Sequence, residues 1–161
     1  MQLWRFRRNA DTIFVVIVIV VLVGGLLIFR AAGVLGVAAL ATWVASTRWA
    51  LAAMFLFTGV AHFTKAKYSM ARMVPKQFGN AMAMVYFTGV CELAGAIGLL
   101  LPKFRNVAGI CLIALLVAMF PANAKAAREK LLVAGRPATP LWLRLPMQLA
   151  FIALAWWVSR P

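Results

Sequence analysis

The chain has 161 residues, of which 65% are apolar and 12% are charged, whereas soluble domains are roughly half apolar and about a quarter charged. This composition excludes an ordinary soluble protein, and three carboxylates with a single histidine are too few for paired-acid catalysis or a multi-histidine metal site, so no metal is predicted. The formal charge of +14, on so apolar a chain, favours contact with anionic lipid and not with nucleic acid.

The first predicted element is a membrane anchor behind a basic N-terminus. Residues 1–11 carry three arginines and are predicted to stay in the cytoplasm. The apolar run 12–29 makes about 27 Å of helix, which is enough to cross a hydrocarbon core. It is also longer than the apolar region of a signal peptide. We therefore predict a retained signal-anchor transmembrane helix at residues 12–29.

The next segment, residues 30–45, could be a connector or an extension of the first helix, because Arg30 and two glycines are the main residues that interrupt its apolar sequence. Residues 46–161 are predicted to form a four-helix membrane domain. Its spans are expected at 46–64, at 81–101, from Val107 to about Ala122, and from Leu141 onward, with Pro121 ending or kinking the third. The predicted fold is thus an all-α, polytopic bundle with five spans.

The basic residues predict the orientation of these spans. Five crossings place the N-terminus and the two loops 65–80 and 123–144 on one side, which then holds most of the Lys and Arg residues. The positive-inside rule puts that side in the cytoplasm and the C-terminus outside. We also expect the loop cations to contact anionic headgroups or a partner protein; they are Lys65, Lys67, Arg72, Lys76, Lys125, Arg128 and Lys130.

Glu92 is the most informative residue, because a carboxylate near the middle of a span costs on the order of 3 kcal/mol to insert. The helix face that carries it is rich in small residues, which permit close packing between helices. Glu92 is therefore expected to point into the bundle. The predicted packing residues are Gly59, Thr88, Gly89, Gly95 and Ala96.

A basic neighbour is expected to neutralise Glu92. Helix spacing favours an ion pair between Arg48 and Glu92, with His62 as the alternative partner. Asn123 and Gln148 are expected in the same half of the bundle, where they complete a buried polar cluster. The residues leave open whether this cluster cross-links helices or forms a ligand or proton site.

These motifs together resemble the DoxX family of small bacterial membrane proteins. The resemblance rests on Arg48, on GVAHF at 59–63, on VP at 74–75, on GVCELAGAIGLLLP at 89–102 and on FPAN at 120–123. It implies a DoxX-like four-helix core preceded by an extra helix, in the bacterial inner membrane. Members of that family include a subunit associated with thiosulfate:quinone oxidation, a component of an oxidative-stress complex and assembly factors for receptors.

Three functions follow as alternatives. The first is a non-enzymatic subunit or assembly factor of a membrane complex, which pairs with another membrane or peripheral protein or with a second copy. The second is the membrane subunit of a quinone-linked oxidoreductase, and the third is a small-solute or proton transporter. No cofactor is required by the first function, although a quinone or a lipid could occupy the polar cluster. The chain lacks a CxxC motif, which argues against redox catalysis by the chain alone.

Overall fold

The computed structural model describes residues 3–129, 131–133, 136–137 and 139–160, and it describes side chains from residue 16 onward except at 132–138. Within these residues the protein is helical apart from one short antiparallel ladder of two strands. Short 3₁₀ turns occur at Ala38–Leu40 and Lys76–Phe78. The helices are α1 (Leu3–Val34), α2 (Trp43–Ala61), α3 (Lys67–Met73), α4 (Ala81–Leu100), α5 (Arg105–Arg128) and α6 (Leu141–Ser159), and the strands are β1 (Leu132–Val133) and β2 (Arg136–Pro137).

Five of the helices are long and apolar enough to cross a membrane. They are the part of α1 at Val16–Val34 together with α2, α4, α5 and α6. This agrees with the predicted number of spans and with an all-helical fold. The remaining helix, α3, has seven residues and is far too short to cross the hydrocarbon core.

The segment between the first two spans, which the sequence left open, divides into a helix extension and a tight turn. Helix α1 continues to Val34, and Gly36 then adopts a φ of 105°, a backbone conformation that glycine accepts without steric cost. Helix α2 then begins after Thr42, whose hydroxyl oxygen accepts a hydrogen bond from the Ala45 N–H at 3.1 Å. This cap fixes the beginning of α2.

Helix α5 is longer than predicted. It passes through Pro121 and ends at Arg128, whereas the sequence placed its end near Ala122. A proline inside a helix removes one backbone hydrogen bond, and here the helix beyond it packs Ala122 and Ala126 around Met73 of α3. That packing holds the last turns of α5 in place and brings α3 against them.

The core lies between α2, α4, α5 and α6. Helix α2 contacts α4 and α6, and α5 contacts α4 and α6. The largest fully buried side chains include Leu51, Phe55, Leu99 and Leu112. Helix α1 packs along α2, and among its residues from Val16 onward, whose side chains are described, Val18 alone is buried, as expected of a helix at the periphery of a membrane bundle.

The glycines on the inner faces of α2 and α4 allow these contacts to be close. A Cβ added at Gly95 would lie 2.5 Å from Leu112 Cδ2, and one at Gly59 would lie 2.9 Å from Leu93 Cδ2. Ala96 is fully buried, and Thr88 is half-buried. Gly98, which the sequence analysis did not single out, makes an equally close approach, since an added Cβ would lie 2.7 Å from Ala108 Cβ.

Candidate functional site: the central cavity

A cavity of about 360 Å³ lies within the four-helix core. It is lined by residues of α2, α4, α5 and α6 and by Val18 of α1, and its loop-facing end is lined by Met70 and Met73 of α3 with Val74, Pro75 and Phe78. Methionine side chains are flexible and polarizable, so a wall built from them adapts to the shape of an apolar ligand. Six of the chain's eight methionines contribute to it, namely Met54, Met70, Met73, Met84, Met119 and Met147.

Polar side chains interrupt this apolar lining. Four of the five residues predicted as a polar cluster line the cavity together with Arg144, which the prediction omitted. We call this set the polar wall; it comprises His62, Glu92, Asn123, Arg144 and Gln148.

Arg48 lies outside the polar wall, and the favoured ion pair between Arg48 and Glu92 is wrong. Arg48 Nε instead donates a hydrogen bond to the Val158 carbonyl oxygen at 2.8 Å. Carbonyls in the last turn of a helix lack partners within that helix, so the C-terminal end of α6 supplies the acceptor for Arg48. Across the described part of the chain, the one ion pair within 4.0 Å joins His62 Nε2 to Glu92 Oε2, at 3.7 Å.

His62 is held in one orientation along α4. Its Nδ1 lies 2.9 Å from the Val85 carbonyl oxygen, which can only accept, so Nδ1 carries a hydrogen and donates. The imidazole lies against Gly89, where an added Cβ would sit 2.5 Å from His62 Cβ. Glycine at this position therefore allows the end of α2 to reach α4.

The pairing of His62 with Glu92 needs a proton. His62 lies one residue beyond the second span, and burial lowers its pKa below the usual range, whereas the hydrogen bond to Val85 acts the other way. With a hydrogen on Nδ1, the Nε2 of a neutral imidazole is an acceptor. Nε2 and a carboxylate oxygen would then repel each other. One proton held by either group makes the contact favourable, so the pair is suited to holding a single proton.

Glu92 Oε2 is left without a hydrogen bond. The residue is 5% exposed, and among the described residues Oε2 has no hydrogen-bond partner, since 3.7 Å to His62 is too long for one. Buried polar atoms in folded proteins are nearly always satisfied. This oxygen is therefore free to bond to a molecule in the cavity.

The other members of the polar wall are tied to the backbone and to each other. Arg144 Nη1 donates to Asn123 Oδ1 at 2.7 Å, and Arg144 Nε donates to the Thr139 carbonyl at 2.9 Å. Gln148 Nε2 donates to the Leu116 carbonyl at 2.7 Å. From the sequence, Arg144 was predicted only to contribute to the orientation of the spans. Its position one helical turn before Gln148 was the signal that could have placed it in the bundle.

Two of the predicted lipid-contacting lysines have partners within the protein. Lys67 Nζ donates to the Tyr86 hydroxyl at 2.7 Å, and this hydrogen bond raises the pKa of Lys67. Lys125 Nζ donates to the carbonyls of Arg72 and Val74 at 3.0 and 3.1 Å, which ties the end of α3 to α5. The side chains of Lys65, Arg72, Lys76 and Arg128 are exposed. Lys130 lies outside the described residues.

Comparison with known proteins corrects the family assignment. A family model described as a domain of unknown function, DUF8561, matches residues 51–159. Searches of curated proteins and of solved structures find no match. The DoxX identification is therefore wrong, because the model that fits this chain is a different one. Short motifs such as FPAN at 120–123 consist of residues that recur in membrane helices, and they do not separate one family of bundles from another.

Proposed function

Because this chain belongs to DUF8561, a family described as a domain of unknown function, we propose a function from the geometry of the cavity. The protein is a membrane-embedded binding subunit that holds one amphipathic, lipid-like molecule inside its helical bundle. The apolar part of that molecule packs on the methionines, and its polar group bonds to the polar wall.

One observation carries this proposal: the unsatisfied Glu92 Oε2 lies in a cavity whose lining is otherwise mainly apolar. A volume of about 360 Å³ falls within the range of small-molecule sites, which are mostly apolar with a few polar groups that orient the ligand. A packed core would leave neither the space nor the unsatisfied oxygen. A bound amphiphile accounts for both.

In this function the chain is a subunit with no enzymatic activity of its own. The quinone-linked and transport alternatives differ from it in what happens to the bound molecule afterwards. In the quinone case the shared proton of Glu92 and His62 would be donated to a carbonyl oxygen. Identification of the bound molecule separates these functions.

Filling the cavity tests the proposal directly. Ala122 lines the cavity on α5, so Ala122→Phe is expected to abolish co-purification of the bound molecule, because the ring occupies its volume. The measurement is mass analysis of an organic extract from protein purified in mild detergent. Ala114→Phe is the matched control, since Ala114 is an exposed alanine of the same helix and outside the cavity. Equal recovery of the molecule from both variants contradicts the proposal, as does its absence from the unmodified protein.

We also propose that α3 and the polar wall lie toward the cytoplasm, as the distribution of basic residues predicts. The test places a single cysteine on either side of the bundle in a chain whose Cys91 and Cys111 are replaced by alanine. Gln77→Cys puts it in the loop beside α3, and Lys103→Cys puts it in the turn between α4 and α5. A membrane-impermeant maleimide applied to sealed right-side-out vesicles is expected to label Lys103→Cys and to spare Gln77→Cys until the vesicles are opened. The reverse pattern contradicts this orientation.

A further inference from the structure

We infer that the head group of the bound molecule is an anion, a carboxylate or a phosphate, which pairs with Arg144. This inference rests on the proposed function and specifies the class of ligand. It follows from the charges around the cavity.

Arg144 has no acidic partner in the described residues. The ion pair found there, within 4.0 Å, belongs to His62 and Glu92. The guanidinium of Arg144 bonds instead to two neutral oxygens, Asn123 Oδ1 and the Thr139 carbonyl. A guanidinium stays protonated in proteins, so the half-buried Arg144 contributes an unbalanced positive charge to an apolar cavity. Charges in such surroundings are normally paired.

The position of Arg144 on its helix adds to this imbalance. Arg144 lies in the first turn of α6, where the helix dipole is positive and favours an anion. Arg48 shows the opposite arrangement, because it bonds to the Val158 carbonyl in the last turn of α6, where the dipole is negative. The same helix therefore offsets the charge of Arg48 and leaves that of Arg144 uncompensated.

Glu92 does not supply the missing negative charge. When it shares one proton with His62, the pair as a whole is neutral, whichever group holds the proton. When Glu92 holds that proton, its one O–H can be donated from Oε2 to an anionic oxygen in place of His62 Nε2. The Asn123 side chain uses Oδ1 to accept from Arg144, and its amide nitrogen is a further donor. The polar wall thus offers a cation and neutral donors, which suit an anionic oxygen.

Matched ligands test the charge of the head group. Delipidated protein is titrated with oleate and with oleyl alcohol, and separately with lysophosphatidic acid and monooleoylglycerol, with the dissociation constant as the measurement. We expect at least one acid to bind about tenfold or more tightly than its neutral counterpart. Whether oleate or lysophosphatidic acid binds better identifies the carboxylate or the phosphate as the preferred group. Equal binding of each acid and its neutral counterpart overturns the inference.

Variants then locate the charge. Arg144→Gln is expected to remove the preference for the acid, Arg144→Lys to retain it, and Arg48→Gln to leave it unchanged. An acid preference that survives Arg144→Gln, or that Arg48→Gln abolishes, overturns the role of Arg144. The ligand comparison in the unmodified protein holds even where a variant fails to fold. If Ala122→Phe leaves the bound molecule in place, the proposed function fails; if it displaces a neutral molecule, the charge assignment alone fails.

Discussion

Replacing His62 with leucine is expected to lower the free energy of unfolding by about 3 kcal/mol, because removal of one partner from a buried pair leaves the other uncompensated. Here the group left behind is Glu92, which is 5% exposed and has an oxygen with no hydrogen bond in the described structure. The measurement is reversible unfolding in mixed micelles. The loss should be largest at pH values where the unmodified pair still holds its shared proton, and smaller at higher pH, where an unprotonated His62 no longer stabilises the Glu92 carboxylate.

The double variant His62→Leu/Glu92→Leu provides the test of mechanism. It should recover most of the stability lost in His62→Leu, since a buried pair replaced by apolar side chains is often neutral or stabilising. The control combines Arg48→Leu with Glu92→Leu, and these two changes should add, because Arg48 bonds to the C-terminal end of α6. Strong coupling of Glu92 to Arg48, or additive changes at His62 and Glu92, would show that the pair described here is not formed.

Gly89→Ala is expected to lower the free energy of unfolding by about 1 to 3 kcal/mol, which is the usual cost of overpacking. The added Cβ would lie 2.5 Å from His62 Cβ and 3.0 Å from its Cγ. These atoms stand at the base of the side chain, so relief requires α2 to move away from α4. That movement also separates His62 from Glu92, and ligand retention should fall together with stability.

Gly24→Ala is the matched control for this substitution. Gly24 also lies inside a membrane-spanning helix, but no atom lies within 4 Å of a Cβ added there. Alanine at this position should leave the protein as stable as before or more stable by up to about 1 kcal/mol, because it favours the helix. If the two substitutions have equal effects, the close approach of His62 to α4 does not contribute to stability.

The sequence predicted the features that depend on single helices. Apolar runs of sufficient length identify the five candidate spans, and the small residues around Glu92 indicate the side of α4 that faces the bundle. The partner of Glu92 was not predictable in this way. Axial spacing favoured Arg48, but the outcome depends on how closely α2 approaches α4 at Gly89 and on the free carbonyl at Val158. Both are properties of packed helices and not of one helix.

The same reason explains why Arg144 was missed. In sequence it is one of 17 basic residues, and its role becomes visible only when α5 places Asn123 beside it. That placement requires α5 to continue past Pro121, which the sequence analysis did not expect. The DoxX assignment failed for a related reason, since short motifs in membrane helices do not separate one family of bundles from another.

The concentration of methionines around the cavity has a practical consequence for spectroscopy. Isotope-labelled methionine methyl groups give sharp NMR signals even in large detergent micelles, and six of the eight such groups in this chain surround the cavity. Occupation of the cavity would therefore move most of the signals in a sparse spectrum. The same groups make peroxide-free detergent essential, because sulfoxide formation would turn an apolar lining into a polar one.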